Sequence, residues 1–146
     1  MQIVRKATHF FQRLEFYGWP VLQLGIRFWM AYVFFRPGRV KLKHWDATVS
    51  LFKFEYKVPY IPPEVAAILA TTVELACPVL LVVGLMTRLA TIPLLIMVAT
   101  IQLTFMSHHD HIYWALLLGT LLLKGAGPFS LDALYCRRYQ QSRYSV

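Results

Sequence analysis

Acidic residues, cysteines and familiar catalytic motifs are all scarce in this sequence. Only 7 Asp and Glu stand against 15 Lys and Arg, and there are 2 cysteines. The chain has no P-loop, dinucleotide-binding glycine fingerprint, HExxH, CxxC or Ser-His-Asp spacing. This excludes the commoner nucleotide, hydrolase and thioredoxin-like chemistries. The basic excess forms no patch beside a soluble fold, so nucleic acid is not predicted as a partner.

Long apolar runs are what the chain has instead. It is 58% hydrophobic, with a mean hydropathy of +0.50. Residues 65–86 carry one formal charge, Glu74, and about 20 apolar residues suffice for a helix to cross a bilayer. The pattern predicts an all-α, integral membrane four-helix bundle in one domain, residues 1–146. We predict spans at about 19–35, 65–86, 89–106 and 111–125, interfacial segments at 1–18 and 129–146, and an interfacial hairpin at 36–63.

The distribution of basic residues predicts the topology. Four spans place both termini on one side, together with the 87–88 turn. That side holds eight Lys and Arg: Arg5, Lys6, Arg13, Arg88, Lys124, Arg137, Arg138 and Arg143. The other side holds six: Arg36, Arg39, Lys41, Lys43, Lys53 and Lys57. The excess favours cytoplasmic termini. Cys77 falls inside a span and Cys136 in the tail, so we predict no disulfide between them.

Short motifs recur in a characteristic order along residues 22–134. They are Arg27, Phe34-Phe35, PGRVKL (37–42), FEYKVP (54–59), Pro62-Pro63, Glu74-Leu75, GLMTRLA (84–90) and the GxGPxSLD run at 125–132. This order resembles the DoxX family of small four-span bacterial membrane proteins. The resemblance implies a place in the bacterial inner membrane. It also implies links to thiosulfate:quinone oxidoreduction, oxidative-stress complexes or metal-linked peptide operons. Most members have no assigned reaction.

Glu74 and Arg27 are the candidate catalytic residues. Both lie near the middle of a predicted span, where a charge is expensive unless it is paired. We predict that they pair with each other. One interpretation is a structural pair that fixes helix register. The other is a proton-accepting Glu74 beside a quinone headgroup or substrate, with Arg27 as its counter-charge. Pro78 also frees the backbone carbonyl of Glu74, four residues earlier.

A histidine-rich turn, residues 108–111, is the candidate metal site. His108 and His109 lie just before the fourth predicted span and His111 at its first residue, and His44 is a further ligand from a neighbouring element. Imidazole suits copper, iron or zinc, so the metal is not determined. The alternative is a solvated helix start with Asp110 near the helix N-terminus.

The basic, aromatic segment 36–63 is the third candidate. Arg39, Lys41 and Trp45 are predicted to hold a headgroup, an anionic substrate or the acidic surface of a partner. The resemblance implies that residues 38–41 pack against Glu55 and Tyr56, with Glu55 pairing with Lys41 or Lys57. The alternative is simple anchoring at the membrane interface.

Three functions follow from these candidates. The first is a membrane subunit or anchor of a quinone-linked redox process, at most one subunit of an oxidoreductase. The second is copper or iron handling through the histidine turn. The third is a structural subunit of a larger membrane complex. All three place the chain in a lipid bilayer, and the first and third give it a protein partner.

Overall fold

A computed structural model describes residues 2–56, 59–104 and 109–136. In these residues every regular element is helical, which confirms the all-α prediction. The helices are α1 (Gln2–Lys43), α2 (Trp45–Leu51), α3 (Pro63–Val83), α4 (Thr87–Thr104) and α5 (His109–Lys124), and Phe52–Tyr56 forms a π-helical turn after α2. Residues 131–136 are also helical. Cys77 and Cys136 are free, as predicted.

Helix α1 is continuous through both of its prolines. We expected an interfacial helix, a separate span and the start of a hairpin, but one helix of 42 residues covers all three. Each proline removes one backbone hydrogen bond, and the packing of α1 along α3 holds the helix together around Pro37. At 1.5 Å per residue α1 is about 63 Å long, roughly twice the thickness of a bilayer's hydrocarbon core.

The segment predicted as an interfacial hairpin is helical throughout most of its described part. Its first residues extend α1, and α2 then packs against both α1 and α3. Thr48 is buried, and its hydroxyl lies 3.0 Å from the carbonyl oxygens of both Lys41 and His44. A small apolar cluster joins the π-helical turn to α3 and consists of Phe52, Ala66 and Ala67. The π-helical turn is therefore held directly against α3.

The main core lies between α1, α3, α4 and α5. Its fully buried members include Met30, Leu81, Leu94, Leu118 and Leu121. Helix α3 ends at Gly84, whose φ of 71° is the left-handed conformation that glycine adopts freely. Within the described residues, α3 is long and apolar enough to cross a membrane, and Thr87–Leu103 is a shorter apolar helix.

At one end of the bundle, the residues that follow α5 form hydrogen bonds with the turn between α3 and α4. The Asp132 carboxylate accepts hydrogen bonds from the backbone N–H groups of Met86 (2.8 Å) and Thr87 (3.1 Å), and so caps α4. The Asp132 N–H donates in return to the Gly84 carbonyl, at 3.0 Å. We call this end, with residues 84–87 and 125–132, the clamp end.

Candidate functional site

Arg27 belongs to the clamp end. It is 1% exposed. Its guanidinium donates to four backbone carbonyls: from Nε to Leu81 (2.7 Å), from Nη2 to Val82 (2.7 Å), and from Nη1 to Phe129 (2.7 Å) and Ala126 (3.2 Å). Two of these carbonyls belong to the last turn of α3, where the helix dipole favours a cation. Arg27 thus ties α1 to the end of α3 and to the segment after α5.

The predicted pairing of Arg27 with Glu74 is wrong. Arg27 reaches the level of Leu81, seven residues beyond Glu74 on α3, or about 10 Å along the helix axis. Four of its five N–H donors are occupied by backbone carbonyls at that end of the bundle. The Glu74 carboxylate instead forms an ion pair with Lys41, through Nζ and Oε1.

Lys41 and Glu74 form an ion pair between α1 and α3 in the described part of the chain. Glu74 is 3% exposed, and the Lys41 side chain is 13% exposed. Lys41 Nζ also lies 5.8 Å from the centre of the Phe52 ring, a cation–π distance. Gly38 makes the pairing possible: a Cβ at this position would lie only 2.8 Å from Glu74 Cβ. Glycine therefore allows α1 to approach α3 closely, one turn before Lys41.

Among the described residues, one oxygen of the Glu74 carboxylate has no protein partner. Its Oε2 and the Thr71 hydroxyl, one helical turn away, are buried and make no hydrogen bond within the described residues. Buried oxygens without partners are costly, and in native proteins they often mark a redox or catalytic role or a bound water. Glu74 is therefore tethered through one oxygen and able to accept a proton on the other.

An apolar cavity of about 320 Å³ lies between the π-helical turn, α3 and α4, and Lys41 is the member of the pair that lines it. Lys41, Tyr56 and Thr100 supply its polar groups. The rest is apolar: Phe52, Ile61, Ala66, Leu69, Ala70, Val73, Pro93, Ile96, Met97 and Ile101. Burial raises the pKa of the Tyr56 phenol, and the charges of Glu74 and Glu55 raise it further. Tyr56 is therefore a protonated donor at neutral pH. We call this space the α3–α4 cavity.

The other predicted headgroup residues do not share this cavity. Arg39 is exposed and lines a different groove, with Arg36 and Lys43. Trp45 is partly buried against the Phe52 cluster. Glu55 is exposed, and its predicted partner Lys41 is engaged by Glu74. Its other predicted partner, Lys57, lies outside the described residues.

The predicted metal ligands are only partly described. His108 lies outside the described residues, and of His109 only the backbone, at the start of α5, is described. His111 Nδ1 lies 3.0 Å from Gln102 Oε1, and its ring contacts the edge of Trp114. His44 is exposed just before α2. The described residues bring together no three His, Cys, Asp or Glu side chains as a metal site. The metal site stays a prediction.

Sequence reasoning placed Lys41 among the headgroup contacts and missed its role as the partner of Glu74. A signal was available: Gly38 and Lys41 are one turn apart, as in a helix that approaches a neighbour closely and then places a charge on it. What the sequence did not reveal is that α1 continues past Pro37, which carries Lys41 alongside α3.

The fold and site define an all-α helix bundle in which Lys41, the partner of the buried Glu74, lines an apolar cavity. A family model described as DoxX matches residues 22–108, more than half of the chain. The chain belongs to the DoxX family, which confirms the resemblance and its membrane character. The comparison with curated proteins gave no match. The comparison with solved structures also gave none.

Proposed function

We propose that this chain is a membrane subunit or anchor of a quinone-linked redox process, acting with a protein partner. One observation carries the proposal: Lys41, the ion-pair partner of the buried Glu74, lines the apolar α3–α4 cavity of about 320 Å³. That volume lies within the range of small-molecule sites, which are mostly apolar with a few polar groups that orient the ligand. A quinone has the matching chemistry, because an apolar ring and tail carry two carbonyl acceptors.

In this proposal Lys41 and Tyr56 orient the quinone, and Glu74 exchanges protons with it through Lys41. Reduction to the quinol takes two electrons, which the partner's redox centre supplies, and two protons. Lys41 has three N–H donors, and Glu74 occupies one of them. A second is available for a quinone carbonyl, to which Lys41 passes a proton as the quinone is reduced. Glu74, which is ionised in the pair, takes up a proton from water at Oε2 and passes it to the neutral Lys41 amine, and a second cycle delivers the second proton. Arg27 has no part in this exchange, because backbone carbonyls hold it at the clamp end.

The membrane arrangement is part of the same proposal. We place α1, α3, α4 and α5 across the bacterial inner membrane as one domain of 1–146, with both termini in the cytoplasm. The interfacial segments are those predicted, 1–18, 36–63 and 129–146. The basic-residue excess on the terminal side supports this orientation. Reporter fusions after residues 61 and 86 test it: the first is expected outside and the second in the cytoplasm, and the reverse pattern contradicts it.

Quinone binding to the full-length protein in lipid nanodiscs tests the function. The probe is a short-chain ubiquinone analogue, followed by quenching of tryptophan fluorescence. Ala70→Trp places a large ring in the cavity and is expected to weaken binding by at least about tenfold. Ala76→Trp is the matched control, because Ala76 is exposed on the same helix and lines no part of the cavity. Equal binding by both variants would contradict the proposed site.

Glu74→Gln separates binding from proton exchange. Glutamine keeps the shape of the side chain but carries no exchangeable carboxyl proton, so quinone binding is expected to persist while cellular activity falls. Full cellular activity of this variant, together with no quinone binding by the wild-type protein, would exclude a quinone-linked role.

A further inference from the structure

Three cations form a stripe on one side of α1. Arg36, Arg39 and Lys43 are all exposed. At 100° per residue they fall within about 60° of one another around the helix, and they extend over about 10 Å along it. They line a groove of about 600 Å³ together with Tyr32 and Phe35. We call these three residues the α1 basic stripe.

The stripe differs from the other described cations between Trp19 and Cys136, each of which has a protein partner. Arg27 and Arg88 donate to backbone carbonyls. Lys41 pairs with Glu74. Lys53 and Lys124 lie 5.3 and 5.9 Å from the ring centres of Phe54 and Trp19. Within the described residues, the three stripe residues have no hydrogen bond, ion pair or ring contact. In the described part of the chain, these three charges are therefore available to a ligand.

The proximity of three positive charges lowers the stability of helix α1. Arg36 and Arg39 are three residues apart, and Arg39 and Lys43 are four apart, so like charges face each other on the helix surface. Such pairs destabilise a helix. An anion held between them removes that repulsion, and the planar guanidinium groups match a phosphate with two parallel hydrogen bonds.

We propose that the α1 basic stripe binds the headgroup phosphate of an anionic phospholipid. The surroundings favour a lipid over an acidic protein. Tyr32 and Phe35 lie beside the cations, on the part of α1 that runs along α3 between Arg27 and Lys41. Both rings are exposed, so the acyl chains of a lipid can pack on them while the cations hold its headgroup. The headgroup of a bound lipid would thus contact the cations of the groove, and its acyl chains would contact the two rings.

This site is independent of the proposed quinone site. No residue that lines the groove also lines the α3–α4 cavity. Each site can therefore be tested without disturbing the other.

The experiment compares lipid selectivity of the full-length protein in mixed membranes. Spin-labelled phosphatidylglycerol and phosphatidylcholine report the relative association constant by electron paramagnetic resonance. Replacing Arg36, Arg39 and Lys43 together by Gln is expected to lower the preference for phosphatidylglycerol about fivefold or more, since each basic residue near an anionic surface contributes measurably. Glutamine has a helix propensity close to that of Lys and Arg, so α1 is kept.

Two further variants make the outcome decisive. Replacing Arg13, Lys53 and Lys124 by Gln removes the same charge from positions elsewhere and is expected to change the preference little. The triple variant R36K, R39K and K43R keeps the charge at each position but reduces the guanidinium groups from two to one, so it is expected to retain more of the preference than the glutamine variant and less than the wild type. The proposed lipid site is refuted if the Gln variant of Arg36, Arg39 and Lys43 keeps the wild-type preference for phosphatidylglycerol. It is also refuted if the Gln variant of Arg13, Lys53 and Lys124 loses the preference equally. Quinone binding by the glutamine stripe variant should equal that of the wild type.

Discussion

Lys41 on α1 and Glu74 on α3 form an ion pair inside the helix bundle, next to an apolar cavity. The pair depends on the close approach of the two helices at Gly38. Arg27, which also lies on α1, is held by carbonyls at the clamp end. One helix therefore carries two cations with different tasks: the buried Arg27 joins elements of the fold, and the partly buried Lys41 neutralises an acid.

Removal of Lys41 alone should be costly. Lys41→Met leaves Glu74 buried without its counter-charge, and breaking such a pair typically costs about 3–5 kcal/mol. The free energy of unfolding in mixed detergent micelles measures this. Adding Glu74→Gln to Lys41→Met should restore much of the loss, because no buried charge then remains. Lys53→Met is the control, since Lys53 is exposed. An equal effect of the two single variants would contradict a buried ion pair.

Gly38→Ala should destabilise the bundle, although alanine favours helices. The added Cβ would lie 2.8 Å from Glu74 Cβ and 3.2 Å from its carbonyl oxygen, so α1 and α3 must separate. Overpacking of this kind costs about 1–3 kcal/mol. Gly25→Ala on the same helix meets nothing within 4 Å and should stabilise by up to about 1 kcal/mol. Thermal unfolding of both variants gives opposite signs, and two shifts of the same sign would refute the close approach.

Arg27→Lys should lower stability while leaving quinone affinity unchanged. A lysine ammonium cannot reproduce the planar fork that reaches four carbonyls on α3 and on the segment after α5. We expect a loss of about 1–3 kcal/mol from carbonyls left unsatisfied. Arg39→Lys, at an exposed position, is the matched control. Weaker quinone binding by Arg27→Lys at full stability would instead give Arg27 a place in the site.

Asp132→Ala should loosen the clamp end. It removes the carboxylate that accepts from the Met86 and Thr87 N–H groups at the start of α4. Loss of a cap of this type costs about 0.5–2 kcal/mol. Hydrogen exchange at residues 86–88 should speed up, with little change near Glu74. Protection that stays at the wild-type level at those amides would show that the cap is not needed.

Much of the helix pattern was predictable from residue order. The apolar run around Glu74 predicted a spanning helix there, and α3 occupies Pro63–Val83. The GLMTRLA and GxGPxSLD motifs stood out because they carry the family resemblance. Their mutual hydrogen bonds could not be read from the sequence, because the Met86–Asp132 contact joins residues 46 positions apart.

Composition and residue order were enough to establish that the chain is helical and apolar, and that Glu74 lies buried and needs a partner. The packing of the helices determines which cation is the partner of Glu74. Arg27 and Lys41 are both on α1, and Gly38, one turn before Lys41, marks a close helix contact without showing which neighbour lies there. The choice depends on how far α1 continues past Pro37 and how α3 lies against it. That register is set by packing at Gly38 and by the carbonyls that bind Arg27, which are contacts between residues distant in the chain.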